Sequence, residues 1–283
     1  MSGIKGTVYF KITRASGEVV KFSIDNTIQD GLLEAIRDRV KSNASVFSAS
    51  YVPVKMVVDL SGSVAAKTIS GSGFQSNTVL CGQSGTSYVN YVTYSNSTNI
   101  VFSAATGSET VASVKLQADN GTDIAIATSD GTGFAGEISS TFSSSDVLDV
   151  SYKIQFTHSN IAANNDTLQT YRDKVLLNFT QGGSGNNIAL TQGQLTVGDN
   201  AADRKATVPV ALDNAGSGTG ATKAITFSKV ASSSAPTQFR MLNSDNVVGH
   251  VEAIGAGEYT SSTFTSDDNV SVTFTYSLSK SSG

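Results

Sequence analysis

The chain has 283 residues, enough for two domains that each bury a core of their own. Apolar residues make up 39% and charged residues only 15%, with a net charge of −4. That balance argues against disorder, and 19 Lys and Arg against 23 Asp and Glu leave no basic face for a nucleic-acid partner. A single cysteine, Cys81, excludes an internal disulfide, and with two histidines, His158 and His250, it argues against a zinc site. No cofactor is implied. Met1–Gly6 lacks the apolar stretch of a secretion signal and no run is long enough to span a membrane, so the expectation is a chain made in a cytosol with no membrane partner.

Along the chain, Val8, Phe10 and Ile12 form one period-two stripe and Val20, Phe22 and Ile24 the next. Ala15-Ser16-Gly17-Glu18 lies between them as a turn, which predicts a β-hairpin. Ile28, Leu32, Leu33, Ile36 and Val40 share a helical face, predicting a helix near 28–41 with Asn26 or Thr27 as N-cap. Strands are expected next at Val54–Leu60, Tyr88–Tyr94, Asn99–Ser103, Ala112–Ala118, Asp123–Thr128 and Val147–Phe156. A second helix near 166–175 follows from Leu168, Tyr171 and Val175, with Asn165 or Asp166 as cap. Strands are then expected at Lys174–Phe179, Gln194–Val197, Ala206–Leu212, Ala224–Phe227, Gln238–Leu242, Val247–Ala253 and Ser271–Leu278. The Gly- and Ser-rich stretches Ser61–Ser76, Gln181–Asn187 and Ala215–Ala221 read as exposed connections.

Two segments repeat. Ser139–Asp146 matches Ser261–Asp268 at a constant spacing, and Leu148, Val150, Tyr152 and Ile154 then align with Val270, Val272, Phe274 and Tyr276. Leu33–Val40 matches Leu168–Val175, including an Arg-Asp-(Arg/Lys)-Val run. Looking for repeats early prevents a wrong fold assignment, and here they predict a mainly β chain of two tandem, related domains. The expectation is two β-sandwich or jelly-roll-like domains, 1–157 and 158–283, each with one short amphipathic helix and a junction near His158–Asn165.

Catalytic chemistry is not in view. His158 follows a strand, His250 sits within one, and neither belongs to a nucleophile elbow, a zinc helix or a phosphate loop, so no catalytic residue is assigned. Asp119-Asn120-Gly121-Thr122-Asp123 and Asp267-Asp268-Asn269 are the densest carboxylate groups, and both read as turns rather than calcium sites. Tyr88, Tyr91 and Tyr94 are the best candidates for a surface-binding patch, although packing is the favoured use of these rings.

The segment Thr27–Val40, with Gly31-Leu32 followed by Ile36-Arg37-Asp38, resembles the Gly-Leu-x-x-(Ile/Leu)-Arg-Asp helix of tailed-phage tail and fibre-associated proteins. Phe264 to Leu278 resembles their closing strand, a Phe, then Ser, Thr and Asp, then an alternating strand. The resemblance implies a non-enzymatic structural protein of the virion, in the tail or decorating the capsid. It would assemble as a homo-oligomer and with other virion proteins; the alternative expectation, resting on the Tyr88–Tyr94 region or the Gly-rich loops, is an adhesin or receptor-binding module that takes a host surface glycan.

Overall fold

The computed structural model describes residues 2–42, 49–62, 64–81, 90–102, 108–129, 141–158, 166–181, 186–197, 204–215, 219–228, 230, 234–255, 258 and 263–280. The fold is mainly β, as expected. Strands β1 (Ser2–Thr13) and β2 (Val19–Ile28) form the predicted hairpin. Its turn is closed by the Arg14 N–H donating to the Glu18 carbonyl and the Gly17 N–H to the Arg14 carbonyl, and relies on Gly17 at a φ of 89°, a left-handed conformation that costs glycine little. Helix α1 (Asp30–Lys41) begins later than expected. Asn26 and Thr27 are not caps but the end of β2, where Thr27 and Ile28 pair with Ile126 and Ala125. Gln29 takes the N-cap position without a side-chain bond to the helix, its amide donating to the Thr27 carbonyl, and Asp30 in the first turn with Arg39 and Lys41 in the last suit the helix dipole instead.

Nine strands complete the first half: β3 (Lys55–Leu60), β4 (Lys67–Ser70), β5 (Phe74–Val79), β6 (Asn90–Asn96), β7 (Ile100–Val101), β8 (Ser108–Gln117), β9 (Asp123–Thr128), β10 (Thr141–Ser143) and β11 (Val147–His158). The order β4-β3-β8-β9 makes one layer, and β5-β6-β11-β1-β2 the other. The Tyr152 hydroxyl in β11 donates to the Val114 carbonyl in β8, which ties the layers through the core. Ser61–Ser76, expected as an exposed connection, contains β4 and the start of β5. Its small polar residues hide the strand because β5 is mostly exposed and pairs through its backbone with β6.

The second half opens with helix α2 (Asp166–Gln181), followed by β12 (Gln192–Thr196), β13 (Arg204–Pro209), β14 (Asp213–Ala215), β15 (Gly220–Ser228), β16 (Gln238–Leu242), β17 (Val248–Ala253) and β18 (Asn269–Lys280). The strand expected at Lys174–Phe179 is helix: Tyr171, Val175, Leu176 and Phe179 continue one buried stripe, which short-range alternation mimicked. The order β13-β12-β16-β17 repeats β4-β3-β8-β9, and β14-β15-β18 repeats β5-β6-β11. Even the turns before the long strands agree. The Ser143 N–H donates to the Asp146 carboxylate and the Asp146 N–H to the Ser143 carbonyl, while Thr265 and Asp268 make the same pair of bonds. The duplication is therefore present in topology as well as in sequence.

The two copies are interlocked. Helix α1 packs on β15 and β18 of the other copy, and Lys280 pairs with Asp30 at 2.8 Å. Helix α2 packs on β17 of its own copy and on β6 of the first, placing Phe179 against Tyr94 and Phe156. The helices meet where Arg39 donates to Asn178 at 3.3 Å, and the Leu190 N–H donates to the Val40 carbonyl. One apolar cluster runs through both copies, from Ile4 to Leu278. Residues 159–165, most of the expected junction, lie outside the described set.

Gly249 in β17 lies under α2, where an added Cβ would stand 2.6 Å from Leu190 Cδ2 and 2.8 Å from the Tyr171 ring. Both neighbours are buried, and the Tyr171 hydroxyl is fixed on the Ile188 carbonyl at 2.6 Å, so neither can give way. Gly249→Ala is expected to destabilise by about 1–3 kcal/mol, read as a lower midpoint in urea unfolding with an unchanged slope.

Candidate functional site

A broad surface built by regular structure is the outer face of β2-β1-β11-β6-β5. Pleating sends every second side chain to this face, and the register aligns them in rows. One row is Ser23, Tyr9, Ser151, Ser95 and Gln75; its neighbours are Lys21, Lys11 and Asp149 on one side and Asp25, Thr7, Lys153, Thr93 and Asn77 on the other. Tyr9, 44% exposed, stands in a groove of about 470 Å³ with Lys11, Lys21, Ser95, Asp149 and Ser151 around it. Lys11 reaches Asp149 at 3.1 Å, and Lys153 lies 4.2 Å from the centre of the Tyr91 ring. This is an amphipathic surface of hydroxyl, amide and ammonium groups around aromatic rings, suited to hydrogen bonding and ring stacking.

The expected patch of Tyr88, Tyr91 and Tyr94 does not form there. Tyr91 faces outward, but Tyr94 is 2% exposed, stacked on Phe74 at 5.5 Å and edge-on to Phe179. The reason is strand geometry, since residues three apart lie on opposite faces of a β-strand. Tyr88 lies outside the described residues. Tyr9, the ring that does stand on this face, was overlooked because it occupies the polar phase of the β1 stripe.

The reactive side chains are held in quiet settings. Cys81 is buried; its N–H donates to Asp173 at 2.8 Å, and Asn90 bonds both Asp173 and the Arg172 carbonyl. Burial and the Asp173 carboxylate push the Cys81 thiol up to about 11, only partly offset by Arg172, so it is not a thiolate nucleophile at neutral pH. His250 is wedged between Phe239 and Phe274, 4.9 Å from the latter's ring centre. Burial lowers its pKa below 6.5, against the opposing pull of Glu252. His158 is the last residue of β11 rather than past the strand, paired with Ser2; its side chain lies outside the described residues.

His250 sets a pH dependence of stability. Its folded pKa is depressed, so the unfolded chain takes up the proton first, and stability falls as pH drops through 6.5 towards the lower folded value. Thermal melts between pH 8 and 5 should show a decline that is shallower in His250→Gln.

Asp119–Asp123 forms the β8–β9 turn, with Gly121 at a φ of 86° and the Thr122 N–H donating to Asn120. Asp123 accepts from Gln117 at 2.6 Å, and Asp268 belongs to the turn into β18. No group of three or more His, Cys, Asp or Glu side chains able to hold a metal ion occurs among the described residues. No helix there is long and apolar enough to cross a membrane. No protein family, curated protein or solved structure matches the chain.

Proposed function

We propose that the protein is a non-enzymatic structural component of a tailed-phage particle, assembling with copies of itself and with other capsid or tail proteins. The observation that carries this reading is the interlocking of two copies of one antiparallel unit through a shared sheet, helices that bridge the copies and one continuous core, which makes a stiff building block. The burial of Cys81, with its thiol pushed up to about 11, and the packing of half-buried His250 between Phe239 and Phe274 support a role in assembly rather than catalysis. Light scattering and negative-stain microscopy of the purified protein test it: defined oligomers are expected, and a product that stays monomeric at every concentration overturns it.

A second reading, recognition of a host glycan, is favoured by one observation, the Tyr9 ring set among hydroxyl, amide and ammonium groups on the outer face. A glycan array probed with the intact protein and with Tyr9→Ala tests it. Loss of signal in the variant supports glycan binding, and equal signals or none overturn it.

A further inference from the structure

Strands β11 and β18 are equivalent and are entered through equivalent turns, yet among the described residues β11 is paired along both edges and β18 along the whole of one. It lies between β6 and β1 and pairs with β1 over its whole length, from Val147 opposite Thr13 to His158 opposite Ser2. β18 pairs with β15 on one edge; on the other, Leu278–Lys280 run parallel to Ser2–Ile4 of β1. From Asn269 to Ser277 that second edge has no strand partner among the described residues.

The side chains register the difference. Phe142, Asp146 and Val150 are all buried, whereas their counterparts Phe264, Asp268 and Val272 are half-buried. Besides the Ser143 N–H, the Asp146 carboxylate accepts the Ala15 N–H and the Arg14 guanidinium at the end of β1; Asp268 accepts the Thr265 N–H and no such second partner among the described residues. The uncovered edge opens into a groove of about 260 Å³ between β17 and β18. Phe239, Val270 and Val272 form its floor, and Glu252 and Glu258 its acidic rim.

We propose that this edge docks an extended segment of a partner protein, a strand antiparallel to β18 whose inward residues are apolar and whose last residue is arginine or lysine. The first copy holds the image of that occupant in β1, where Val8, Phe10 and Ile12 cover the core side of β11 and Arg14 closes on Asp146. By the same register the incoming apolar residues lie opposite Phe274, Val272 and Val270, and the basic residue reaches Asp268. Main-chain hydrogen bonds supply affinity in such strand addition, and alternate side chains supply selectivity. A second copy's β1 is not the occupant, because its own β11 already holds it along its full length. The inference stands on the duplication and goes beyond the assembly reading.

A fluorescently labelled peptide with the sequence of Ser2–Ala15, the built-in complement of the equivalent edge, is the probe, added to the intact protein and followed by anisotropy and hydrogen exchange. Saturable one-to-one binding is expected, with new protection of amides within 269–277. Asp268→Ala in the protein should weaken binding by about tenfold or more, as expected for loss of a charge-assisted bond, and Phe10→Asp in the peptide should abolish it without touching the protein's fold. Absence of saturable binding, new protection on β11 in place of β18, or indifference to both substitutions would overturn the proposal.

Discussion

Truncation of Phe179 to alanine is expected to cost about 3–5 kcal/mol. The ring is fully buried at the end of α2, with its centre 6.2 Å from those of both Tyr94 and Phe156. These partners belong to β6 and β11 of the other copy, so the truncation empties a site that neither copy closes alone. The cavity cannot collapse easily, because Asn178 anchors the helix there through bonds to Arg39 and the Asn186 carbonyl. Urea unfolding followed by circular dichroism would read the loss as a lower midpoint with a single transition. A first transition confined to one half would show instead that the copies fold independently.

The second large effect separates two aspartates that the sequence presents as twins. Asp146→Ala should destabilise by about 3–5 kcal/mol, because it removes a buried carboxylate that accepts from Arg14, Ala15 and Ser143, taking that acceptor from two N–H groups and leaving Arg14 with the Thr141 carbonyl. Asp268→Ala should cost about 1 kcal/mol, the scale of a lost turn cap. Burial by itself would raise the Asp146 pKa, but the Ala15 and Ser143 N–H groups and the Arg14 guanidinium outweigh it and hold the carboxyl below 3.8. Its contribution to stability is thus complete above the ordinary carboxyl pKa and disappears as pH falls through the lowered folded value. Acid titration of the wild type and of Asp146→Ala should converge at low pH, and parallel curves would show that Asp146 has no such role.

Local chemistry made much of this fold legible. Alternation placed β9, β11 and β16 to within two residues at each end and found the β1–β2 hairpin, and the paired Ser-Ser-Thr-Phe runs marked matching strands that are entered through turns with the same hydrogen bonds. What escaped was set by partners distant in the chain. β4, β5 and β14 carry few apolar residues and exist because a neighbouring backbone pairs with them. The stripe from Tyr171 to Phe179 was divided between helix and strand because its burial is set by β6 and β17, which no local window contains. The surface site was misjudged for a similar reason. Which tyrosine faces out depends on strand phase, and Tyr94 points inward because Val92 and Tyr94 both oppose core residues of β11.

The crossing of α1 and α2 between copies has a consequence for how such a molecule arises. Two separate single-copy chains held together by such bridging helices would form a dimer governed by mass action and would come apart on dilution. Joining them in one polypeptide makes the contact intramolecular, at an effective concentration in the millimolar range for a short connection. Each helix then finds its sheet whatever the abundance of the protein, and the fused pair can enter an assembly one chain at a time.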